Sequence, residues 1–226
     1  MSKPELVVLD MIGTTVQTSK KIPDAFKRAF EKDGIHLSDA DVSAVRGKSK
    51  RQAIHELLVN HGGEDLATRR SSSVYAEFKN LLLDCYREAP VNAIQGTPDL
   101  FSWSHNNDIR VALTTGFDRD LAELILSRLE WTTMVDALVC NDDVDAGRPA
   151  PDMILAAMRQ SRCADVACVA SVGDTVSDLE AGANAGTRWN IGVLSGAHTR
   201  EQLSTAPHTA LIDSIAELPE LLSATA

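Results

Sequence analysis

The amino-terminal part of the chain reads LVVLDMIGTT over Leu6–Thr15, an apolar run that ends in an aspartate and a glycine-threonine turn. Such short runs rich in Val and Leu are typical of strands buried in a parallel sheet. Ligands of open parallel sheets bind beyond the carboxyl ends of the strands. Asp10 stands there and is a candidate nucleophile or metal ligand, with a helix cap as the alternative. Gly13 allows a sharp turn that brings backbone amides close to an anion.

Further apolar runs alternate with helical segments along the chain. The runs are Val111–Leu113, Ala137–Val139, Ala167–Val172, Ile191–Leu194 and, more weakly, Ala210–Ile212. Helices are predicted over Asp118–Leu129, Asp152–Met158 and Asp178–Asn184. This alternation predicts an α/β fold in which helices cover both faces of an open parallel sheet.

The interval between the first two strands has only helical periods. They cover Pro23–Lys32, Asp39–Val45, Gln52–Asn60 and Asp65–Arg87. We therefore predict a separate helical domain over residues 18–91 and an α/β core over residues 1–17 and 92–226. A chain of 226 residues is long enough for both.

The charge balance and the cysteines exclude several classes of protein. The chain has 22 Lys and Arg against 32 Asp and Glu, a net charge of -10, so we expect neither nucleic acid nor a membrane as partner. The four cysteines form no Cys-x-x-Cys pair, which favours reduced thiols over a zinc site or a disulfide framework. With no signal-peptide pattern and no apolar run near the ~20 residues of a membrane span, we expect a cytoplasmic protein.

Three later motifs carry groups that suit phosphate or a metal ion. Thr114-Thr115-Gly116 offers hydroxyls and amides at a helix start, and Arg148 lies in a proline turn before a helix, where it can clamp a phosphate. An ordinary capping threonine and a surface arginine are the alternatives. The segment Gly173–Asp178 places two carboxylates four residues apart beside a glycine, a pattern typical of a Mg²⁺ site.

In their order and spacing, Asp10, Thr115, Arg148 and Gly173-Asp174-x-x-x-Asp178 resemble the four motifs of the haloacid dehalogenase superfamily over essentially the whole chain. The resemblance implies a Rossmann-like core with a small α-helical cap inserted after the first strand. It also implies an Asp10 nucleophile, with Thr115 and Arg148 on the phosphoryl oxygens. The Mg²⁺ ligands that it implies are Asp10, Asp174, Asp178 and the backbone carbonyl of Ile12, and the substrate-binding positions are Gly13, Thr14 and Gly116.

The position two residues after the nucleophile holds Ile12, where phosphatases of this superfamily have an acidic residue. Because general acid catalysis is typically worth about 10²- to 10⁴-fold in rate, an efficient phosphomonoesterase is disfavoured. The chain here resembles the phosphonatases, which lack that acid and form a lysine Schiff base in the cap. Asp174 and Asp178 argue against a dehalogenase, which needs no divalent metal.

The basic segment Arg46–Arg51 contains the Gly-x-x-Lys pattern of the phosphonatase cap, which assigns Lys50 to the Schiff-base position. Ser49 and Gln52 predict a capping box that makes Lys50 the first helical residue. The helix dipole and the neighbouring cations then favour the neutral amine that a nucleophile needs, with a solvated basic run at a helix start as the alternative. Gly47 and Arg46 are assigned to substrate binding, although Arg46 replaces a methionine of the family and Ala53 replaces a histidine.

These features predict a Mg²⁺-dependent enzyme that cleaves the carbon–phosphorus bond of a small phosphonate. One alternative is a phosphatase that acts slowly on a small phosphate ester without the usual general acid. Another is a binding or regulatory relative that has lost turnover. The resemblance further implies a homodimer that forms through the cap.

Overall fold

A computed structural model describes residues 3–224 of the chain. The strands are β1 Leu6–Asp10, β2 Arg110–Thr114, β3 Ala137–Val139, β4 Val169–Gly173, β5 Trp189–Val193 and β6 Ala210–Ile212. The helices are α1 Lys21–Glu31, α2 Asp39–Ala44, α3 Lys50–Glu88, α4 Thr97–Asn106, α5 Arg119–Arg128, α6 Asp152–Gln160, α7 Val176–Ala185, α8 Arg200–Leu203 and α9 Leu218–Ala224. None of the helices in this range combines the length and apolarity that a membrane span needs.

The six strands form one parallel sheet in the order β3-β2-β1-β4-β5-β6. Every residue of β1 is buried, as expected for a central strand covered on both faces. Helix α6 contributes Met153 and Ile154 to the apolar cluster that contains Leu6 and Val8 of β1. The predicted α/β fold is therefore confirmed.

Some elements differ from the sequence prediction. Strand β4 begins at Val169, two residues later than predicted, because residues 166–168 form a 3-10 turn capped by the Asp165 side chain, which accepts from the Ala167 N–H. Helix α4 was not predicted. Its N-cap residue is Gly96, which has a left-handed backbone conformation and no side chain that could cap the helix.

The described residues divide into two compact units, with boundaries at Thr18/Ser19 and Pro90/Val91. In the unit that contains the sheet, the two chain segments at these boundaries pair with each other. The Gln17 N–H donates to the Asn92 carbonyl at 2.9 Å, and the Ile94 N–H donates to the Thr15 carbonyl at 2.8 Å. We call this paired segment, residues 15–18 and 91–94, the neck.

The other unit, residues 19–90, is helical and has its own apolar core. Phe26 of α1 packs against Phe78 of α3, with ring centroids 4.4 Å apart. Helix α3 is interrupted at Gly63 (φ 80°, ψ 174°), so the two helices predicted over this stretch correspond to its two halves. This backbone conformation is accessible essentially only to glycine.

Candidate active site

The register of the sheet brings the ends of three strands together. Asp10 at the end of β1 is paired with Thr114 at the end of β2, and Leu9 is paired with Val172 of β4. Asp174 therefore leaves β4 beside Asp10, although the two are far apart in sequence. Three carboxylates and one guanidinium are buried here, with relative exposures of 7% for Asp10, 1% for Asp174, 8% for Asp178 and 9% for Arg148.

Arg148 links two strand-end residues, Asp10 and Thr114, with Asp178 in the first turn of α7. Its Nη1 lies 2.6 Å from Asp10 Oδ1 and 2.7 Å from Asp178 Oδ1, and its Nη2 donates to Thr114 Oγ1 at 2.7 Å. The planar guanidinium makes these contacts because its donors point in fixed, divergent directions. Arg148 and Asp178, predicted to bind phosphate and metal respectively, are thus in direct contact.

The loop that carries Arg148 is anchored by Arg119 of α5. Arg119 Nη2 donates to Asp143 at 2.5 Å, and its backbone N–H donates to Asp142 at 3.0 Å. Cys140, Asp142 and Asp143 present ligand atoms within 4.8 Å of one another. Burial raises the pKa of the Cys140 thiol to about 12, and both carboxylates of the group are already engaged by Arg119 and backbone N–H groups. We interpret this cluster as a loop anchor.

Asp178 is oriented by a capping box at the start of α7. Its Oδ2 accepts from the N–H and the hydroxyl of Thr175, and the Thr175 hydroxyl accepts from the Asp178 N–H. The other oxygen, Oδ1, faces Arg148. Asp178 thereby anchors Arg148 as well as the first turn of the helix.

Asp174 is held by two loops. Oδ1 accepts from Thr14 Oγ1 at 3.3 Å, and Oδ2 accepts from the Ala197 N–H at 2.6 Å. A Cβ atom at Gly13 would lie 2.2 Å from Oδ2, so only glycine leaves room for the carboxylate. Gly13 also has φ 104°, and its N–H donates to the Val16 carbonyl at 2.8 Å. That backbone amides of this turn approach an anion stays a prediction.

Burial and neighbouring charges raise the pKa of Asp10 and of Asp174. Burial raises the pKa of Asp10 to about 6, with the nearby Arg148 opposing this effect and Asp178 adding to it. Burial raises the pKa of Asp174 well above its usual range, and the charges of Asp10 and Asp178 raise it further. For Arg148, burial lowers the pKa but the charges of Asp178 and Asp10 outweigh it, so the pKa is raised and the side chain stays charged.

The donor set fits a divalent cation. With all groups ionised, three buried carboxylates and one guanidinium leave a formal charge of -2, which a single Mg²⁺ balances. Carboxylate oxygens are the ligands that Mg²⁺ prefers. Burial raises the pKa of both Asp10 and Asp174, and a cation bound between them would favour their ionised forms. The predicted ligand Ile12 is partly exposed in the loop after Asp10.

The remaining predicted residues of the core lie in loops at the same edge. Thr115 is buried, and its hydroxyl accepts from the Phe117 N–H at 3.2 Å, which leaves the hydroxyl proton available to a ligand oxygen. Gly116 follows it in the loop between β2 and α5. The Thr14 hydroxyl donates a hydrogen bond to Asp174 and so helps to orient this predicted metal ligand.

The helical unit contains the predicted amine. Helix α3 begins at Lys50, as predicted, and the N-cap Ser49 accepts from the Gln52 N–H at 3.3 Å. The reciprocal half of the predicted capping box is absent, because the Gln52 side chain donates to Glu56. Lys50 is partly buried, and its Nζ lies 3.4 Å from the Lys48 carbonyl oxygen.

The cations around Lys50 differ in their contacts. Lys48 forms an ion pair with Glu56 at 2.6 Å, and the guanidinium of Arg51 lies 4.0 Å from the centroid of the Tyr75 ring. Arg46 is exposed, and Gly47 has φ 80° in the turn before α3.

Ala53, at the position of the family's histidine, is fully buried. His55 lies instead 3.3 Å from Ser71 Oγ and 3.4 Å from Glu64, on the second half of α3. His55 thus bridges the two halves of this helix.

Sequence reasoning missed two contributors to the site. Thr114 was noted only as part of a motif, and the loop after β5, which supplies Ala197, was not noted at all. The pattern Ser195-Gly196 after an apolar strand was the one local signal. Its meaning depends on β5 being next to β4 in the sheet.

Comparison with known proteins agrees with this geometry. A family model described as haloacid dehalogenase-like hydrolase matches residues 7–191. Phosphonoacetaldehyde hydrolase of Bacillus cereus strain AH187 is 28% identical over 86% of this chain and 77% of its own. That of Bacteroides fragilis strain YCH46 is 26% identical over 99% and 90%. That of Syntrophobacter fumaroxidans is 30% identical over 83% and 71%.

Solved structures share the fold. A phosphonoacetaldehyde hydrolase-like protein from Oleispira antarctica has a TM-score of 0.84 at 22% identity and covers 99% of this chain and 92% of its own. A hydrolase from Pseudomonas syringae has a TM-score of 0.84 at 21% identity and covers 100% of both chains. Since the family model spans most of the chain, the protein belongs to the haloacid dehalogenase-like hydrolases.

Proposed function

We propose that this protein is a Mg²⁺-dependent phosphonatase that cleaves the carbon–phosphorus bond of phosphonoacetaldehyde or a closely similar small phosphonate. Asp10 is the nucleophile, and Lys50 of the helical unit, acting as a cap, forms a Schiff base with the substrate. The names of the curated relatives support this proposal.

One observation carries the proposal. The loop that follows the buried Asp10, residues 11–16, reads Met-Ile-Gly-Thr-Thr-Val and holds no titratable side chain. An alkoxide leaving group therefore finds no proton donor on this loop, and Ile12 stands where an acid is needed. A carbon leaving group whose electrons enter an iminium ion needs no such donor at this position.

The proposed reaction has four steps. The neutral Lys50 amine adds to the aldehyde carbon, a proton is taken up from solvent, and water leaves to give an iminium ion. Asp10 attacks phosphorus, the carbon–phosphorus bond breaks, and its electron pair enters the iminium to form an enamine and an aspartyl phosphate. Protonation of the enamine carbon and hydrolysis release acetaldehyde and regenerate Lys50. Water then cleaves the aspartyl phosphate to phosphate and Asp10.

The buried charges of the core suit the phosphoryl transfer. Bound Mg²⁺ supplies charge neutralisation at the phosphoryl oxygens, and the residues that would hold it are Asp10, Asp174 and the Ile12 carbonyl. Asp178 holds Arg148, whose guanidinium stabilises charge on the transferring group together with Thr115.

Borohydride trapping tests the Schiff base. Incubation of the protein with phosphonoacetaldehyde and borohydride should give a covalent adduct, visible by intact-protein mass spectrometry, that Lys50→Arg abolishes. Lys48→Arg is the matched control, because Lys48 belongs to the same basic segment but pairs with Glu56, and it should retain the adduct. A wild-type protein that forms neither adduct nor acetaldehyde contradicts the proposal.

The phosphatase alternative predicts a different outcome. Phosphate release from a small ester would persist in Lys50→Arg and disappear in Asp10→Asn. Turnover of this kind without cleavage of the phosphonate would replace the proposal.

A further inference from the structure

The loop Leu194–His198, which we call the β5 loop, connects Asp174 with the loop that follows the nucleophile. The Ala197 N–H donates to Asp174 Oδ2 at 2.6 Å. Ser195 Oγ donates to the Gly13 carbonyl oxygen at 2.8 Å. One short loop therefore contacts both the Asp174 carboxylate and the loop that follows Asp10.

Gly196 approaches the same carboxylate so closely that no side chain fits. A Cβ atom at Gly196 would lie 2.0 Å from Asp174 Oδ2. Gly196 is not among the glycines with positive φ, so space and not backbone conformation requires the glycine. Together with Gly13 on the other loop, Gly196 confines the carboxylate to one orientation.

The β5 loop is itself fixed against the start of α7. The His198 N–H donates to the backbone carbonyl of Asp174 at 3.3 Å, and His198 Nδ1 accepts from the Val176 N–H at 3.0 Å. These contacts join the loop to the chain on either side of Thr175. The Ala197 N–H is thus presented to the carboxylate by an anchored loop.

We propose that the β5 loop is a positioning element, which holds the Asp174 carboxylate in the orientation that binds the divalent cation. This inference rests on the cation site of the proposed function. A hydrogen bond to an ionised acceptor is roughly twice as strong as a neutral one. Loss of an outer partner of a metal ligand typically weakens metal binding by about 10- to 100-fold.

Calorimetric titration of Mg²⁺ into the EDTA-treated full chain, without substrate, tests the proposal. Ala197→Pro removes the N–H, and Gly196→Ala displaces the carboxylate, so each should weaken Mg²⁺ binding by about 10- to 100-fold. Ala197→Ser keeps the N–H and should rescue the affinity. Ala197→Pro removes a hydrogen bond and Gly196→Ala introduces a steric clash, so either variant alone can test the proposal if the other fails to fold.

Gly186→Ala is the matched control for general destabilisation. Gly186 caps the end of α7 opposite to Asp178 with φ 79°, a backbone conformation that strains alanine, so the substitution should lower the melting temperature while Mg²⁺ affinity is retained. Equal Mg²⁺ affinity in wild type, Ala197→Pro and Gly196→Ala overturns the role of the loop. A wild-type protein that binds no divalent cation overturns the cation site itself and, with it, this inference.

The amide signal of Ala197 gives a second readout. In a ¹⁵N–¹H spectrum of the wild-type protein, this proton should lie downfield and exchange slowly because it is donated to a carboxylate. Asp174→Asn should shift it upfield. An Ala197 amide that exchanges as fast as those of exposed loops would contradict the proposed contact.

Discussion

Arg148 Nη1 lies 2.6 Å from Asp10 Oδ1 within the buried cluster. The proposed nucleophile is therefore already paired with the residue expected to bind the phosphoryl group. The same nitrogen also contacts Asp178. A substrate phosphoryl group therefore has to share Arg148 with these carboxylates. We expect the balance between the two sets of contacts to affect both the free energy of unfolding and turnover.

Replacing Arg148 should reduce both properties. Arg148→Met leaves Asp10 and Asp178 without their counter-charge and should lower the free energy of unfolding by about 3–5 kcal/mol, measured by urea denaturation at pH 7.5. Arg148→Lys keeps the charge but loses the planar guanidinium, whose two terminal nitrogens contact different partners. Turnover should therefore fall by about 10²-fold or more, with a smaller loss of stability. Arg159→Met, at the exposed end of α6, is the control and should change neither.

Restoring an acid at position 12 should create phosphatase activity. Ile12→Asp supplies a proton donor, and general acid catalysis is worth about 10²- to 10⁴-fold. Hydrolysis of an alkyl phosphate should therefore rise by at least about tenfold. Turnover of p-nitrophenyl phosphate, whose leaving group needs no proton, should change much less. An equal gain with Ile12→Asn would show that polarity, not acid catalysis, is responsible.

The stability of the metal-free protein should fall as pH rises through the titration of Asp10. The folded-state pKa of about 6 exceeds the ordinary 3.8, so the folded protein binds more protons between these values. The stabilising proton is fully bound below about pH 4 and is lost as pH rises through about 6. In EDTA, Asp10→Asn should raise the melting temperature at pH 7.5 but not at pH 4. A gain of the same size at both pH values would contradict the burial argument.

The kink in α3 should be sensitive to a single methyl group. Gly63→Ala places a side chain at φ 80°, ψ 174°, where strain costs about 1–3 kcal/mol, although no neighbouring atom lies within 4 Å of the added Cβ. The expected loss appears as a lower midpoint in urea. Asn60→Ala, at an exposed position on the same helix, is the control and should be neutral or slightly stabilising.

Local sequence patterns predicted most of the sheet because each strand is a short apolar run followed by polar residues. Ser49 was also predicted correctly as an N-cap, since its contact with the Gln52 N–H spans only three residues. The other half of that capping box failed because Gln52 has a competing partner in Glu56, one turn further along the helix. Short-range signals thus succeed where no alternative contact competes.

The roles of Ala197, Gly196 and Asp178 could not be predicted, for a different reason. Ala197 has no side-chain chemistry, and it matters only because β5 lies beside β4 and directs its backbone N–H to Asp174. Gly196 carries no unusual backbone angle that a turn pattern could reveal. Asp178 was predicted as a Mg²⁺ ligand, whereas its contact with Arg148 depends on where a distant loop is anchored. Such roles follow from strand order and loop anchoring, which no local pattern encodes.

The neck has an evolutionary consequence. Because Gln17 and Asn92 are hydrogen-bonded side by side, the point at which the chain leaves the sheet-containing unit and the point at which it returns are held together. Any insertion between them closes a loop whose ends are already fixed, whatever its length or sequence. Natural selection can therefore exchange the inserted unit while the sheet and its buried carboxylate cluster are inherited intact.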